Sequence, residues 1–239
     1  MATRLHIGAH LPNASLPWYA KKFDLREVVV GDPGSPSLAT LRRWRRSVPP
    51  SFEFCVVAGG HLARVKPGPE LERDLDAAVA AIDALHARCF LLPTPSDVTP
   101  SMLARERIGK VLGRLPRDAT RVVWEPRGLW EVDDAAAAAH RWGVVLAVDA
   151  ARDPVPAGPV AYVRLRALGE TRGFGASALE RVLLSVGARR DVYVVLETHA
   201  AVRESRTLRQ LAEEGPVEPR SLGRLVRPRG IHVRDDEQE

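Results

Sequence analysis

Eight short apolar runs constrain this chain more than any other feature. They are Arg4–Gly8, Leu25–Gly31, Phe52–Val57, Arg88–Leu92, Val122–Trp124, Val144–Val148, Val160–Leu165 and Val192–Leu196. Most carry consecutive branched or aromatic side chains rather than a strict polar–apolar alternation. That is the pattern of strands buried on both faces, as in a parallel sheet. Pro93 is expected to stop the fourth run.

The intervals between most runs have helical spacing. Leu71, Leu75, Ala78, Val79, Ile82 and Leu85 line one side of a helix predicted from Pro69 to His86, with acidic residues at its start. A second helix is predicted from Pro100 to Leu115, with Pro100 in the first turn and Pro116 as the stop. Further helices are expected at 38–48, 133–140, 177–186 and 201–213. In the first of these, Arg42, Arg43, Arg45 and Arg46 should form a solvated outer face. The stretch 151–159 is too short and proline-rich for a full helix. Strand–helix alternation implies a parallel sheet, and eight strands in 239 residues fit a TIM-like (β/α)8 barrel better than an open sheet. The reading is an α/β fold: one barrel domain over 1–214, a closed parallel sheet surrounded by helices. A proline- and arginine-rich segment, 215–239, follows as a partly flexible tail.

Composition excludes some classes. No apolar run approaches the roughly 18 residues of a membrane span, and none resembles a signal region at the N-terminus. A cytoplasmic protein with no membrane partner is expected. Cys55 and Cys89 fall inside apolar runs and read as buried free thiols. The formal charge of +5 could attract nucleic acid. The basic residues are spread along the chain, however, so that partner rests only on Arg42–Arg46 and the arginines near the end.

In a barrel, catalytic groups come from the C-terminal ends of strands. Arg121-Val122-Val123-Trp124-Glu125-Pro126-Arg127 shows the pattern: an apolar run, then a carboxylate and a guanidinium. Asp149 ends the sixth run, Arg164 and Arg166 close the seventh, and Glu197 and His199 close the eighth. His10 follows the first run, and Glu27 lies on the second. Strand alternation puts Glu125 with Arg127, Arg164 with Arg166, and Glu197 with His199 on common sides. If Glu125 faces the barrel axis, Trp124 packs outward, and Arg164 is the natural partner for a buried carboxylate. Two chemistries can use this set. Glu125, Asp149 and Glu197 are candidates for acid/base work, with pKa values set apart by burial and by arginines. Arg127, Arg164 and Arg166, with Glu27, His10 and His199, are candidates for binding an anionic small molecule at the barrel mouth. The bland reading is an Arg–Glu network that only fills the mouth.

No metal is expected. His10, Glu125, Asp149, Glu197 and His199 are suitable ligand types, but the arginines oppose a cation, and neither His-x-His nor His-Glu-x-x-His occurs. No cofactor is expected either, since no Gly-x-Gly-x-x-Gly or P-loop motif follows a strand. Gly173-Phe174-Gly175 before a helix could hold an anion, though a plain loop is the simpler reading. His6, His140 and His232 invite no role.

Several of these pieces together resemble the domain of unknown function 72 (YecE-like) family, over about residues 4–212. Trp18-Tyr19-Ala20-Lys21-Lys22-Phe23 with Arg26-Glu27-Val28 is similar to that family's Tyr-Ala-x-x-Phe-x-x-Val-Glu. Leu41–Trp44 and Val48–Phe54 resemble its Trp, Thr-Pro, Phe-x-Phe stretch. Glu125-Pro126-Arg127 resembles its Glu-x-Arg-His, and Tyr162–Leu165 its Tyr-x-Arg-x-His-Gly. The resemblance implies a TIM-like barrel and names no reaction. The chain departs from it at Val29, Val57, Gly128, Arg166-Ala167 and Leu196–His199. The expected function is binding or processing of an anionic, phosphate- or sugar-like small molecule at the mouth by acid/base chemistry. The alternatives are a degenerate, non-catalytic binding barrel or a nucleic-acid-associated protein.

Overall fold

The computed structural model describes residues 3–167 and 173–215. The expected tail beyond 215 lies outside the described residues, as does His232. The strands are β1 (Arg4–Ala9), β2 (Leu25–Val30), β3 (Glu53–Ala58), β4 (Cys89–Thr94), β5 (Arg121–Pro126), β6 (Val145–Val148), β7 (Val160–Arg166) and β8 (Asp191–Glu197). The helices are α1 (Leu16–Tyr19), α2 (Leu38–Arg46), α3 (Gly60–Ala63), α4 (Pro69–Leu85), α5 (Met102–Gly113), α6 (Val132–Trp142), α7 (Ala176–Val186) and α8 (Ala201–Glu214). All strand pairs are parallel, in the order β1-β8-β7-β6-β5-β4-β3-β2. The result is a nearly closed barrel ringed by helices, and no helix separates β6 from β7.

Two local expectations change. β4 does not stop at Pro93 but continues to Thr94, with Pro93 in register with Glu125. Pro100 precedes the fifth helix instead of entering its first turn. Ser101 is the N-cap, its hydroxyl accepting from Ala104 N–H at 3.2 Å. The short helices α1 and α3 have too few residues to show a periodicity.

Alternation along each strand divides the core in two. Leu25, Cys55, Cys89, Leu91, Val123 and Tyr162 are among the side chains filling the barrel interior. Both cysteines are free and buried there. Their neighbours along the strands point outward and pack under the helices. Trp124 shows the outer layer: it meets Trp130 and Trp142 edge-on, with centroids 4.8 and 4.9 Å away.

The barrel closes differently between β1 and β2, which form no regular ladder. Gly8 permits the approach, since a Cβ there would lie 2.5 Å from the Leu25 carbonyl oxygen. Asp24 N–H donates to the Ile7 carbonyl at 3.1 Å, and Ile7 N–H donates to the Asp24 carboxylate. One turn along, the Tyr19 hydroxyl sits between the strands. It accepts from Ala9 N–H at 2.7 Å and faces the carbonyl oxygens of Ala9 and Leu25 at 2.9 and 2.8 Å. A side chain from α1 thus replaces ladder hydrogen bonds that buried backbone groups would otherwise lack. Beyond this bridge the strands part, and a cleft of about 380 Å³ opens at the mouth end of the seam.

Candidate functional site

The strand ends bring five of the expected residues into one buried network. Arg164 is at its centre. Its Nη1 donates to Glu125 Oε2 at 2.7 Å and its Nη2 to Glu27 Oε2 at 3.0 Å. Its Nε approaches Glu197 Oε1 to 2.8 Å, but off the N–H direction, so this contact is an ion pair without a hydrogen bond. Arg166 Nε donates to Glu197 Oε2 at 3.1 Å, and its Nη2 pairs with Glu125 Oε1. Tyr162 completes the set, its hydroxyl donating to Glu27 Oε1 at 2.6 Å. Three carboxylates thus share two guanidinium groups. Burial strengthens each attraction and equally makes a missing partner costly.

The network separates two of its carboxylates electrostatically. Burial pushes the Glu27 pKa above its ordinary value, and Arg164 and Tyr162 only partly oppose this. Burial acts on Glu125 in the same sense, but Arg164 and Arg166 beside it outweigh the effect and hold its pKa low. Burial would also lower the Arg164 pKa, yet Glu27, Glu125 and Glu197 raise it, so its charge is permanent.

The other expected residues lie outside the side-chain network, although Asp149 lines a cleft together with Glu125 and Arg166. Asp149 is buried and joins its own loop to the end of β7, accepting from Ala151 N–H at 3.1 Å and Arg166 N–H at 3.3 Å. Burial raises its pKa. Arg127 is half exposed and only 3.9 Å from Glu125, a weak pairing. His10 is exposed on the rim of the seam cleft. His199 is exposed beyond β8. At Gly128 the backbone has φ +80°, and a Cβ would lie 2.9 Å from Ser96. This turn therefore disfavours the histidine of the resembling motif. The Gly173–Gly175 segment offers no open anion cradle, because Phe174 N–H already donates to the buried Glu204 carboxylate. On α2, Arg42, Arg43 and Arg46 are exposed as expected. Arg45 instead folds back, donating to the Phe52 carbonyl at 2.8 Å and lying over the Phe54 ring.

One mouth residue escaped sequence reasoning. Arg26 lines the seam cleft yet is only 9% exposed. Its guanidinium lies 5.0 Å from the Tyr19 ring centroid and 5.3 Å from that of Trp44. Its Nη1 has no hydrogen-bond partner. The available signal was two aromatic residues, Tyr19 and Trp44, on the segments flanking a strand arginine.

No group of three or more His, Cys, Asp and Glu suited to hold a metal ion occurs among the described residues. Among those residues, no helix is long and apolar enough to cross a membrane.

An eight-stranded parallel barrel with charged side chains converging at the strand C-termini defines a TIM-barrel protein. The model of the family described as "Protein of unknown function DUF72" matches residues 9–227, and the chain belongs to that family. Comparison with curated proteins finds no match. Among solved structures, a DUF72 family protein from Thermotoga maritima MSB8 is 16% identical; the match covers 88% of this chain and 99% of that one, with a TM-score of 0.67. An AP endonuclease, family 2, from Brucella melitensis is 16% identical over 88% of this chain and 98% of its own, with a TM-score of 0.59. A xylose isomerase domain containing protein from Salmonella typhimurium LT2 is 16% identical over 88% and 95%, with a TM-score of 0.56. At these identities the likeness is one of fold.

Proposed function

We propose that the barrel mouth is a small-molecule site that processes a sugar- or phosphate-type ligand by acid/base chemistry. One observation carries this reading: Glu27 and Glu125 flank the same guanidinium, and their surroundings drive their pKa values in opposite directions. Such divergence within one cluster is how a site obtains a proton donor and a permanent charge from the same residue type. Glu27 also lines the seam cleft, within reach of a ligand. It is therefore the leading proton-transfer candidate. Glu125, both oxygens engaged by arginine, holds Arg164 and Arg166 in place. Glu197 pairs with Arg164 and Arg166 at the network's outer edge and is more open to solvent than Glu125.

The test is deuterium uptake from D2O into a panel of aldoses, ketoses and their phosphates and acids, followed by NMR. Uptake or conversion should occur with the natural protein and fall at least about 100-fold in Glu27→Gln, as expected for loss of a general acid or base. Undiminished turnover in that variant rejects Glu27's role.

A non-catalytic binding barrel is the second reading. It is favoured by the full engagement of Glu125, whose two oxygens face Arg164 and Arg166. A ligand that raises the melting temperature and is recovered unchanged supports it.

A further inference from the structure

Among the described residues at the mouth, Arg26 is the arginine that faces no carboxylate. Every other arginine described at the mouth faces a carboxylate: Arg164 and Arg166 within the network, Arg127 beside Glu125, and Arg152 beside Asp149. Arg26 is buried nearly as deeply as Arg164, at 9% exposure against 6%, and forms no ion pair with any described carboxylate. Its Nη1 donor is out of solvent and unused. Burying an unpaired cation costs several kcal/mol, so such a group is normally neutralised by a partner. Asp32 lines the same cleft, but its Oδ1 accepts from Gly60 N–H at 2.6 Å.

The surroundings hold Arg26 in position without neutralising it. Tyr19 and Trp44 place their ring faces against the guanidinium, which stabilises a cation and restricts its rotamers. Ring faces above the guanidinium do not compete for its in-plane donors, Nη1 has no partner, and a planar fork of this kind matches a two-oxygen acceptor. Tyr19 is also the residue that bridges the β1–β2 seam, so the same side chain ends the strand contact and forms a wall of the cleft. Glu27 and Arg164, at the edge of the buried network, line the same cleft.

We propose that the seam cleft is an oxyanion subsite: Arg26 receives the phosphate or carboxylate of a small hydroxylated molecule whose polar remainder reaches Glu27 and Arg164. This deepens the reading of the mouth as a small-molecule site and rests on it. It assigns the anion-binding role to Arg26, because Arg164 and Arg166 are already engaged by carboxylates. The cleft volume of about 380 Å³ suits a ligand of monosaccharide size.

The experiment is isothermal titration of the natural protein, Arg26→Met and Glu27→Gln with four probes: a hexose phosphate, a hexuronic acid, the neutral hexose and inorganic phosphate. The hexose phosphate or the hexuronic acid should bind more tightly than the neutral sugar. That advantage should shrink on the order of 10- to 100-fold in Arg26→Met, the loss expected for charge-assisted hydrogen bonds. Whichever charged probe shows the advantage identifies the oxyanion. Circular dichroism melting of Arg26→Met establishes that the barrel is intact. Charged probes that bind no better than the neutral hexose, or equally well to Arg26→Met, overturn the subsite, as does the absence of binding by every probe. If Arg26→Met leaves sugar binding unchanged while Glu27→Gln abolishes it, the subsite fails and the mouth reading survives. If charged probes bind through Arg26 but no ligand is affected by Glu27→Gln, the subsite stands and the role given to Glu27 fails.

Discussion

Two arginines are buried at the same end of this barrel and are balanced in opposite ways. Arg164 points inward from β7 and meets three carboxylates. Arg26 points outward from β2 at the open seam and meets two aromatic rings and no carboxylate. Burial alone therefore does not determine what a buried charge does. A surplus of carboxylates makes Arg164 a fixed part of the framework, whereas the lack of one leaves Arg26 with unused binding capacity.

The largest expected effect tests this contrast directly. Arg164→Met removes the cation shared by Glu27, Glu125 and Glu197 and leaves buried negative charge behind. It should destabilise the fold by about 3–5 kcal/mol in urea denaturation. Arg26→Met leaves no orphaned partner, removes a buried cation that no carboxylate balances, and retains an apolar stem against Tyr19 and Trp44, so it should not destabilise the fold. Equal losses in the two variants would break the comparison and make Arg26 a structural clamp.

The seam comes next. Tyr19→Phe removes the hydroxyl shared among Ala9 N–H and the carbonyls of Ala9 and Leu25. The expected loss is about 1–3 kcal/mol, the penalty for buried backbone groups left unsatisfied. Hydrogen exchange at Ala9 N–H should accelerate more than exchange in the β7–β8 ladder. A uniform change would mean that the hydroxyl does not close the barrel locally.

Glu27 and Glu125 sharpen the comparison through pH. Glu27 has a folded pKa raised above its ordinary value of 4.5, so its contribution to stability is fully present below that value and is lost as pH rises through the folded pKa. Glu125 has a lowered pKa, so its contribution is present above 4.5 and is lost as pH falls through the folded pKa. The stability of the natural protein relative to Glu27→Gln should therefore decline with rising pH, and relative to Glu125→Gln it should increase. Urea titrations of the three proteins from about pH 3 to about pH 8 measure both slopes. Slopes of the same sign would remove the acid/base distinction between them.

The barrel was legible because its strands are nearly continuous branched or aromatic runs, and only burial on both faces favours such runs. Val192–Leu196 could hardly form anything else. Alternation was equally informative at Glu125, whose inward direction follows from the outward Trp124. Arg26 was not legible for the same reason. It precedes Glu27 on β2, so alternation sends it away from the barrel axis, and the resembling segment has valine at its position. Its importance depends on Tyr19 and Trp44 meeting it across two helices, and on a seam that ordinary parallel pairing does not reveal. Asp149 was legible as a strand-end carboxylate, but its bonding partners were not. A carboxylate at a strand end looks catalytic; the proline-rich loop that follows it has no helix, and the carboxylate ties the start of that loop to the end of β7 through the N–H groups of Ala151 and Arg166. The Arg–Glu pairing could be anticipated, but its stoichiometry of three carboxylates to two guanidinium groups emerges only in three dimensions.

The smallest effect should come from Arg127, which sequence spacing ranked beside Glu125. Its side chain is 51% exposed and 3.9 Å from that carboxylate, so water screens the pair. Arg127→Ala should change stability by no more than about 0.5 kcal/mol and leave binding of the neutral hexose unaltered. It should also spare the preference for a charged probe, because Arg26 lies on β2, several strands away around the barrel from β5. Selective loss of anion binding in Arg127→Ala, with Arg26→Met unaffected, would transfer the oxyanion role to the β5 side of the mouth. Arg26 would then be a cation held only by its aromatic neighbours, and the two buried arginines would differ in partners but not in function.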